Sequence, residues 1–162
     1  MHPLEPPDSH HLTAAEGWLE LGNALEATAE LERIAPKLRD HPEVLEVRWG
    51  IAAKAKDWQA CIELASELVK KAPKNPSGWI HRSYALHELK RTIQALDELL
   101  PAVVKFPKEW VIPYNLACYC TRLGRLEEAR GWLEKAFKLG NRKQLRDMAL
   151  ADPDLEMIWR SF

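Results

Sequence analysis

The chain has 162 residues, of which 46% are hydrophobic and 29% are charged, so it can bury one core or one short helical array. Its formal net charge of -1 excludes the broad positive field by which proteins attract nucleic acid or anionic lipid. Three cysteines are too few for a disulfide framework, and no apolar run approaches the ~20 residues of a membrane span. We therefore expect a cytoplasmic protein with neither nucleic acid nor a membrane as its partner.

The opening stretch MHPLEPPDSH lacks the basic and apolar regions of a signal peptide, and we expect residues 1–10 to form a flexible tail. The adjacent His10 and His11 are more typical of a solvated tail than of a metal site, because neighbouring side chains on a helix diverge. A capping box formed by Thr13 and Glu16 predicts where the first helix begins. The sequence predicts no metal and no other cofactor.

A spacing of 34 residues then runs through the chain. Four series of positions follow it: Gly22, Lys56, Lys90 and Gly124; Ala27, Cys61, Ala95 and Ala129; Ala15, Trp49, Ser83 and Ala117; Ile34, Leu68, Ala102 and Ala136. A glycine is costly inside a helix, so Gly124 is interpreted as a C-terminal cap. The small residues of the other series are typical of helices that cross at about 8–10 Å.

This period resembles that of the tetratricopeptide repeat (TPR), a 34-residue helix–turn–helix unit. The fourth unit is most similar to the repeat consensus, with YNLA at 114–117, Gly124, and Glu128 followed by Ala129. The resemblance implies an all-α fold, a right-handed α-solenoid of about four helix pairs with C-terminal capping helices. The expected divisions are a tail at 1–10, repeats at 11–41, 42–75, 76–109 and 110–141, and a cap at 142–162.

Local signals place further helix ends. Asn75-Pro76 and Asp152-Pro153 each predict an N-cap followed by proline in the first turn. Pro113 suggests that Trp110 to Ile112 are irregular or 3₁₀, and Gly140 predicts a stop at the C′ position. Beyond it, two apolar stripes predict the capping helices: Leu145, Met148 and Ala149, and Leu155, Ile158 and Trp159.

The sequence contains no glycine-rich phosphate loop, no GxSxG nucleophile motif and no HExxH zinc motif. The three cysteines, Cys61, Cys118 and Cys120, are interpreted as packing residues rather than reactive thiols. A polar and aromatic strip on one predicted helix, which includes His87, is not in itself a catalytic site, because an open groove excludes water poorly. We therefore expect no enzymatic activity.

In TPR proteins the first helix of each repeat lines a groove that binds a peptide or helix of another protein. The resemblance thus implies a non-catalytic protein–protein interaction module with a partner of unknown identity. Setting the packing stripe aside leaves these groove candidates in the third and fourth units: His81, Tyr84, Glu88, Tyr114, Asn115, Cys118 and Arg122. The second unit adds Glu46, Gly50 and Lys54.

Two alternatives to a groove-binding module remain open. Apolar surface near Trp110 or Trp159 could drive self-association, which would make the chain an assembly or scaffold element. A secretion-type chaperone built on similar repeats would have a comparable length. The expected oligomeric state is a monomer or a weak homo-oligomer.

Overall fold

A computed structural model of the chain describes residues 2–159, and every regular element in that range is helical. The α-helices are α1 (Asp8–Glu20), α2 (Ala24–Arg33), α3 (Pro42–Lys54), α4 (Trp58–Lys71), α5 (Ser77–Glu88), α6 (Thr92–Leu99), α7 (Ala102–Lys105), α8 (Val111–Arg122), α9 (Leu126–Leu139), α10 (Arg142–Ala151) and α11 (Glu156–Trp159). Two 3₁₀ turns, Pro36–Leu38 and Pro153–Leu155, complete the set. The all-α prediction is confirmed. Within this range no helix combines the length and apolar character that crossing a bilayer requires.

The chain divides into two compact units, the first ending at Gly78 and the second beginning at Trp79. In the first unit α1 packs on α2 and α3 packs on α4, so consecutive helices pair. In the second unit α8 packs on α9, and α6 lies against α8. Buried side chains from α1, the end of α2, and α3 build the core of the first unit: Leu12, Ala15, Leu31, Ile34, Val44 and Val47.

One turn geometry recurs at the 34-residue interval. Backbone φ is positive at Gly22 (78°), Lys56 (56°), Lys90 (63°) and Gly124 (75°). In each turn the next amide donates to a carbonyl five residues back, at 2.9 Å in all four pairs: Asn23 to Trp18, Asp57 to Ala52, Arg91 to Leu86, and Arg125 to Cys120. This left-handed cap satisfies the last carbonyls of the first helix and reverses the chain. The predicted cap at Gly124 is confirmed, and Gly22, Lys56 and Lys90 adopt the same conformation.

The small residues of one series are fully buried on helices that pack against a neighbour. Ala27, Cys61, Ala95 and Ala129, on the second helix of each pair, are 0% exposed. Their short side chains let backbones approach more closely than leucine or phenylalanine would allow. Trp49, the bulky member of its series, is half-buried.

The beginning of α1 differs from the prediction. The helix starts at Asp8, inside the segment expected to be a tail, and Leu4 packs against the core of the first unit. The capping box at Thr13 and Glu16 is wrong, because the Thr13 hydroxyl donates to the Ser9 carbonyl within the helix, at 3.1 Å. The Asp8 carboxylate instead accepts the Ala35 amide at 2.7 Å, which holds the start of α1 against the end of α2.

Two expectations about the fourth helix pair also need correction. The irregular stretch predicted over Trp110–Ile112 is wrong for its last two residues, because α8 begins at Val111 and places Pro113 in the first turn, where no amide donor is needed. Helix α9 does stop before Gly140, but that glycine is extended (φ -111°, ψ -170°) rather than left-handed. A Cβ there would lie 2.6 Å from Leu145 Cδ1 and 3.2 Å from Trp110 Cγ, so a larger residue would have to displace those side chains.

Gly124 and Gly131 lie in the same helix pair, and a Cβ added at either position meets nothing within 4 Å. Substituting them therefore tests the effect of backbone conformation without a packing clash. Gly124→Ala should destabilise the chain by about 1 kcal/mol, since alanine tolerates positive φ poorly. Gly131→Ala, inside α9, should stabilise it by about 0.5–1 kcal/mol. Urea unfolding of both variants tests this, and equal shifts of the same sign would contradict the described turn.

Candidate functional site

The C-terminal part of the second unit folds back against α8. Helices α10 and α11 pack on α9, while the 3₁₀ turn between them packs on α8. Leu155 and Ile158 are 0% and 1% exposed, and the Trp159 indole donates to the Ala149 carbonyl at 2.9 Å. We call residues 152–155 the strap, because this short segment lies on the helix that carries most of the predicted groove residues.

Asp152 holds the strap in two ways with one carboxylate. Its Oδ1 accepts the Asp154 amide at 2.9 Å and so caps the 3₁₀ turn. Its Oδ2 accepts the Tyr114 hydroxyl at 2.9 Å and the Cys118 thiol at 3.7 Å. Burial raises the pKa of both Tyr114 and Cys118 above the usual range, and the negative charges of Asp152 and Asp154 add to this effect. Both side chains are therefore neutral donors at physiological pH.

Asp154 makes the second set of contacts. Its Oδ2 lies 3.0 Å from His87 Nε2, and its Oδ1 lies 3.4 Å from Arg122 Nε. The hydrogen bond from His87, aided by the charges of His87, Arg122 and Lys90, lowers the pKa of Asp154 against the opposing effect of burial. The strap thus presents an ionised carboxylate to three basic groups.

His87 is oriented from its other side. Its Nδ1 lies 3.0 Å from Thr92 Oγ1, and its ring lies 4.9 Å from the Tyr119 ring, between centroids. A carboxylate can only accept, so Nε2 carries the hydrogen that bonds to Asp154. The contact with Thr92 therefore fixes the imidazole as a donor aimed at the strap.

The structure brings some of the seven predicted groove residues together around the strap and leaves others outside it. Tyr114 and Cys118 are 5% and 6% exposed beneath it, and Arg122 pairs with Asp154 at its edge. Tyr84 is 40% exposed and hydrogen-bonds Glu88, and burial with the charge of Glu88 raises the pKa of Tyr84.

His81 and Asn115 are half-buried on α5 and α8. Sequence reasoning missed the residues that occupy the surface, Asp152 and Asp154, and it left His87 out of the predicted site. The Asp152-Pro153 pair was interpreted as a helix start, and a second aspartate two residues later was the unused signal.

The groove candidates of the second repeat lie in the first unit, where they contact other residues of that unit. Gly50 is half-buried, and a Cβ there would lie 2.8 Å from Leu19 Cδ2, so a larger residue would have to displace the Leu19 side chain. The Lys54 ammonium donates to the Leu19 carbonyl at 2.5 Å, and Glu46 accepts the Ser77 hydroxyl.

The three cysteines and Trp110 have packing roles. All three cysteines are buried free thiols, and burial raises the pKa of Cys61 and of Cys120 to about 11, which disfavours the reactive thiolate. Trp110 packs edge to face on Tyr114, with ring centroids 6.1 Å apart, and touches the position of Gly140. Among residues 2–159, no cluster of three or more His, Cys, Asp or Glu side chains is placed to hold a metal ion.

The helix pairs, their left-handed turns and their small crossing residues define a TPR-like fold, and solved structures share it. No protein-family model matches the chain, and no curated protein does. A TPR protein of Thermus thermophilus is 21% identical, with a TM-score of 0.76 over 95% of this chain and 82% of that one. MamA from Desulfovibrio magneticus is 19% identical, with a TM-score of 0.71 over 98% and 92%. Both similarities concern the fold alone.

The ionisation of Asp154 should make the strap's contribution to stability depend on pH. Its folded-state pKa lies below the ordinary value of 3.8, so the stabilisation is present above that value and is lost as pH falls through the folded pKa. At neutral pH, Asp154→Asn should lower the free energy of unfolding by about 0.5–1 kcal/mol, because the ion pair is partly exposed. Chemical unfolding between pH 7 and pH 3 measures the difference.

Asp147→Asn, on the exposed surface of α10, is the matched control and should show no such pH-dependent loss. A difference between wild type and Asp154→Asn that stayed constant below pH 3.8 would contradict the ionised contact.

Proposed function

We propose that the chain is a non-catalytic interaction module that binds a segment of another protein on the surface of α5 and α8. The observation that carries this proposal is the strap. A surface that already holds a peptide segment through donors on two helices has the chemistry needed to hold one from another chain.

The residue types on this surface support recognition. Tyrosine and arginine are the types most enriched among interface residues that dominate binding energy, and the surface offers Tyr84, Tyr114 and Arg122. Asn115 can both donate and accept, which suits a peptide backbone. Because Tyr84 remains 40% exposed beside the strap, a bound segment can gain contacts that the strap leaves unused.

A reaction is not part of this proposal. Asp154, His87 and Thr92 are connected in the order of a carboxylate–imidazole–hydroxyl relay, but His87 uses its Nε2 to hold the strap. An acyl-transfer site would also need donors for a developing oxyanion and a cavity beside the nucleophile. We therefore assign the three side chains to positioning the strap.

Partner capture with surface variants tests the module. Tyr84→Ala/Asn115→Ala/Arg122→Ala should lower recovery of a co-purifying partner at least tenfold, because it removes the exposed recognition groups. The matched control is Glu63→Ala/Asp97→Ala/Lys138→Ala, three exposed positions on α4, α6 and α9, which should retain the partner.

A photoreactive phenylalanine analogue at Tyr84 should cross-link the same partner, and one at Asp97 should not. A partner retained by both triple variants and cross-linked from neither position would place binding away from α5 and α8.

Self-association is the second candidate, favoured by exposed apolar side chains on the capping helices. Leu150 is 56% exposed, Met157 is 54% exposed and Met148 is 40% exposed. Leu150 and Trp159 also line one open cavity of about 460 Å³. Exposed apolar surface of this kind can pair copies of a chain.

Light scattering over a hundredfold range of protein concentration tests self-association. If the cap pairs copies, the average mass should rise with concentration, and Leu150→Lys/Met157→Lys should return it to the monomer value. A wild-type mass that stays at one chain throughout would exclude this candidate.

A further inference from the structure

We propose that the strap competes with the partner for the surface of α5 and α8. The partner is an acidic segment whose two carboxylates, two residues apart, replace those of Asp152 and Asp154. This inference rests on the proposed function of the same surface. It names the chemistry of the partner and the event that must precede binding.

The receptor surface selects carboxylates. The strap's two aspartates meet four donors on α5 and α8: the Tyr114 hydroxyl, the Cys118 thiol, His87 Nε2 and the Arg122 guanidinium. Two of these donors carry or can acquire positive charge, and Lys90 adds a third cation close to Asp154. A neutral or basic segment would leave these groups without acceptors, so an acidic segment fits best.

The strap also indicates how far apart the carboxylates of a ligand must be and which type of residue must follow them. Its aspartates are separated by one proline, and the residue that follows them, Leu155, is 0% exposed. A competitor therefore needs the pattern carboxylate, any residue, carboxylate, apolar residue. A segment with that pattern can reproduce each polar contact of the strap and can fill the apolar site of Leu155.

The contact between Asp154 and Arg122 is the most accessible polar anchor of the strap. The Asp154 side chain is 31% exposed and that of Arg122 is 51% exposed, so water screens their attraction. A competing segment can exchange these contacts one for one. The solvent-facing side of the strap is accessible, because Pro153 and the nearby Glu156 are exposed.

A separate partner fits the surface better than a second copy of this chain. Exchange of straps between copies replaces every contact with an identical one and adds the cost of association. A partner segment that continues past the strap's footprint reaches Tyr84, which stays 40% exposed when the strap is in place. That additional contact gives a partner an advantage over the chain's own segment.

A labelled peptide with the sequence of residues 150–158, LADPDLEMI, serves as the probe for the full chain. Wild type should bind it weakly, because its own strap fills the site. Asp152→Asn/Asp154→Asn should bind it at least tenfold more tightly, since the apparent affinity rises as the open fraction approaches one. Fluorescence anisotropy measures both affinities.

Asp97→Asn/Asp147→Asn is the matched control, because it removes the same charge from exposed positions on α6 and α10. It should bind the probe as wild type does. A probe with asparagine at both aspartate positions should bind none of the proteins. Adding Arg122→Ala to the strap variant should weaken its binding of the acidic probe.

The single variant Asp154→Asn keeps the Asp152 cap of the 3₁₀ turn and should give an intermediate affinity, which guards against misfolding of the double variant. Equal affinity of wild type and both strap variants for the probe would overturn the inference. So would equal binding of the acidic and asparagine probes, or a strap variant that dimerises by exchange and ignores the probe.

Failure of this inference is distinguishable from failure of the proposed function. If the strap variants ignore the acidic probe while the natural partner still cross-links to Tyr84, the surface binds a segment of other chemistry and the competitor role is lost. If neither the probe nor a partner reaches Tyr84, the interaction surface itself is wrong.

Discussion

The constraint that governs this structure is the left-handed turn that closes each helix pair. At Gly22, Lys56, Lys90 and Gly124 the backbone must adopt positive φ, and the following amide then reaches back to a carbonyl of the first helix. This sets the direction in which the second helix leaves, and hence which of its residues meets the first. Ala27, Cys61, Ala95 and Ala129 occupy that meeting point and are fully buried. Small side chains and a fixed turn therefore depend on each other.

The interaction surface follows from that arrangement and from one addition to it. Helix α8 turns a face with Tyr114, Cys118 and Arg122 toward the strap, and α5 adds His87. The strap satisfies the donors on this face with carboxylates rather than with apolar side chains. The proposed binding surface is thus covered by a segment of the same unit. The contacts of that segment show which chemical groups this face can hold.

Local rules let the sequence predict much of the fold. The four positions of positive φ follow the 34-residue interval found in the sequence, and the small residues Ala27, Cys61, Ala95 and Ala129 are fully buried. The errors arose where an interaction distant in sequence decided the outcome. Asp8 pairs with Ala35 rather than with its own helix, and Gly140 is glycine because Leu145 and Trp110 approach it. Neither contact has a signature in the neighbouring residues.

The site was predicted in part for the same reason. Helical spacing identified Tyr114, Cys118 and Arg122 as members of one face, since that relation is local. It could not show that residues 152–155 return to that face, because the return depends on how α9 and α10 pack. The occupant of the site and the role of His87 therefore needed three-dimensional information, while the shared face of Tyr114, Cys118 and Arg122 did not.

Asp152 joins the internal order of the strap to its attachment. One oxygen of its carboxylate shapes the 3₁₀ turn, and the other anchors that turn to α8. Replacing Asp152 would therefore disturb the turn and its attachment together, since the order of the strap and its position on α8 are coupled through one side chain.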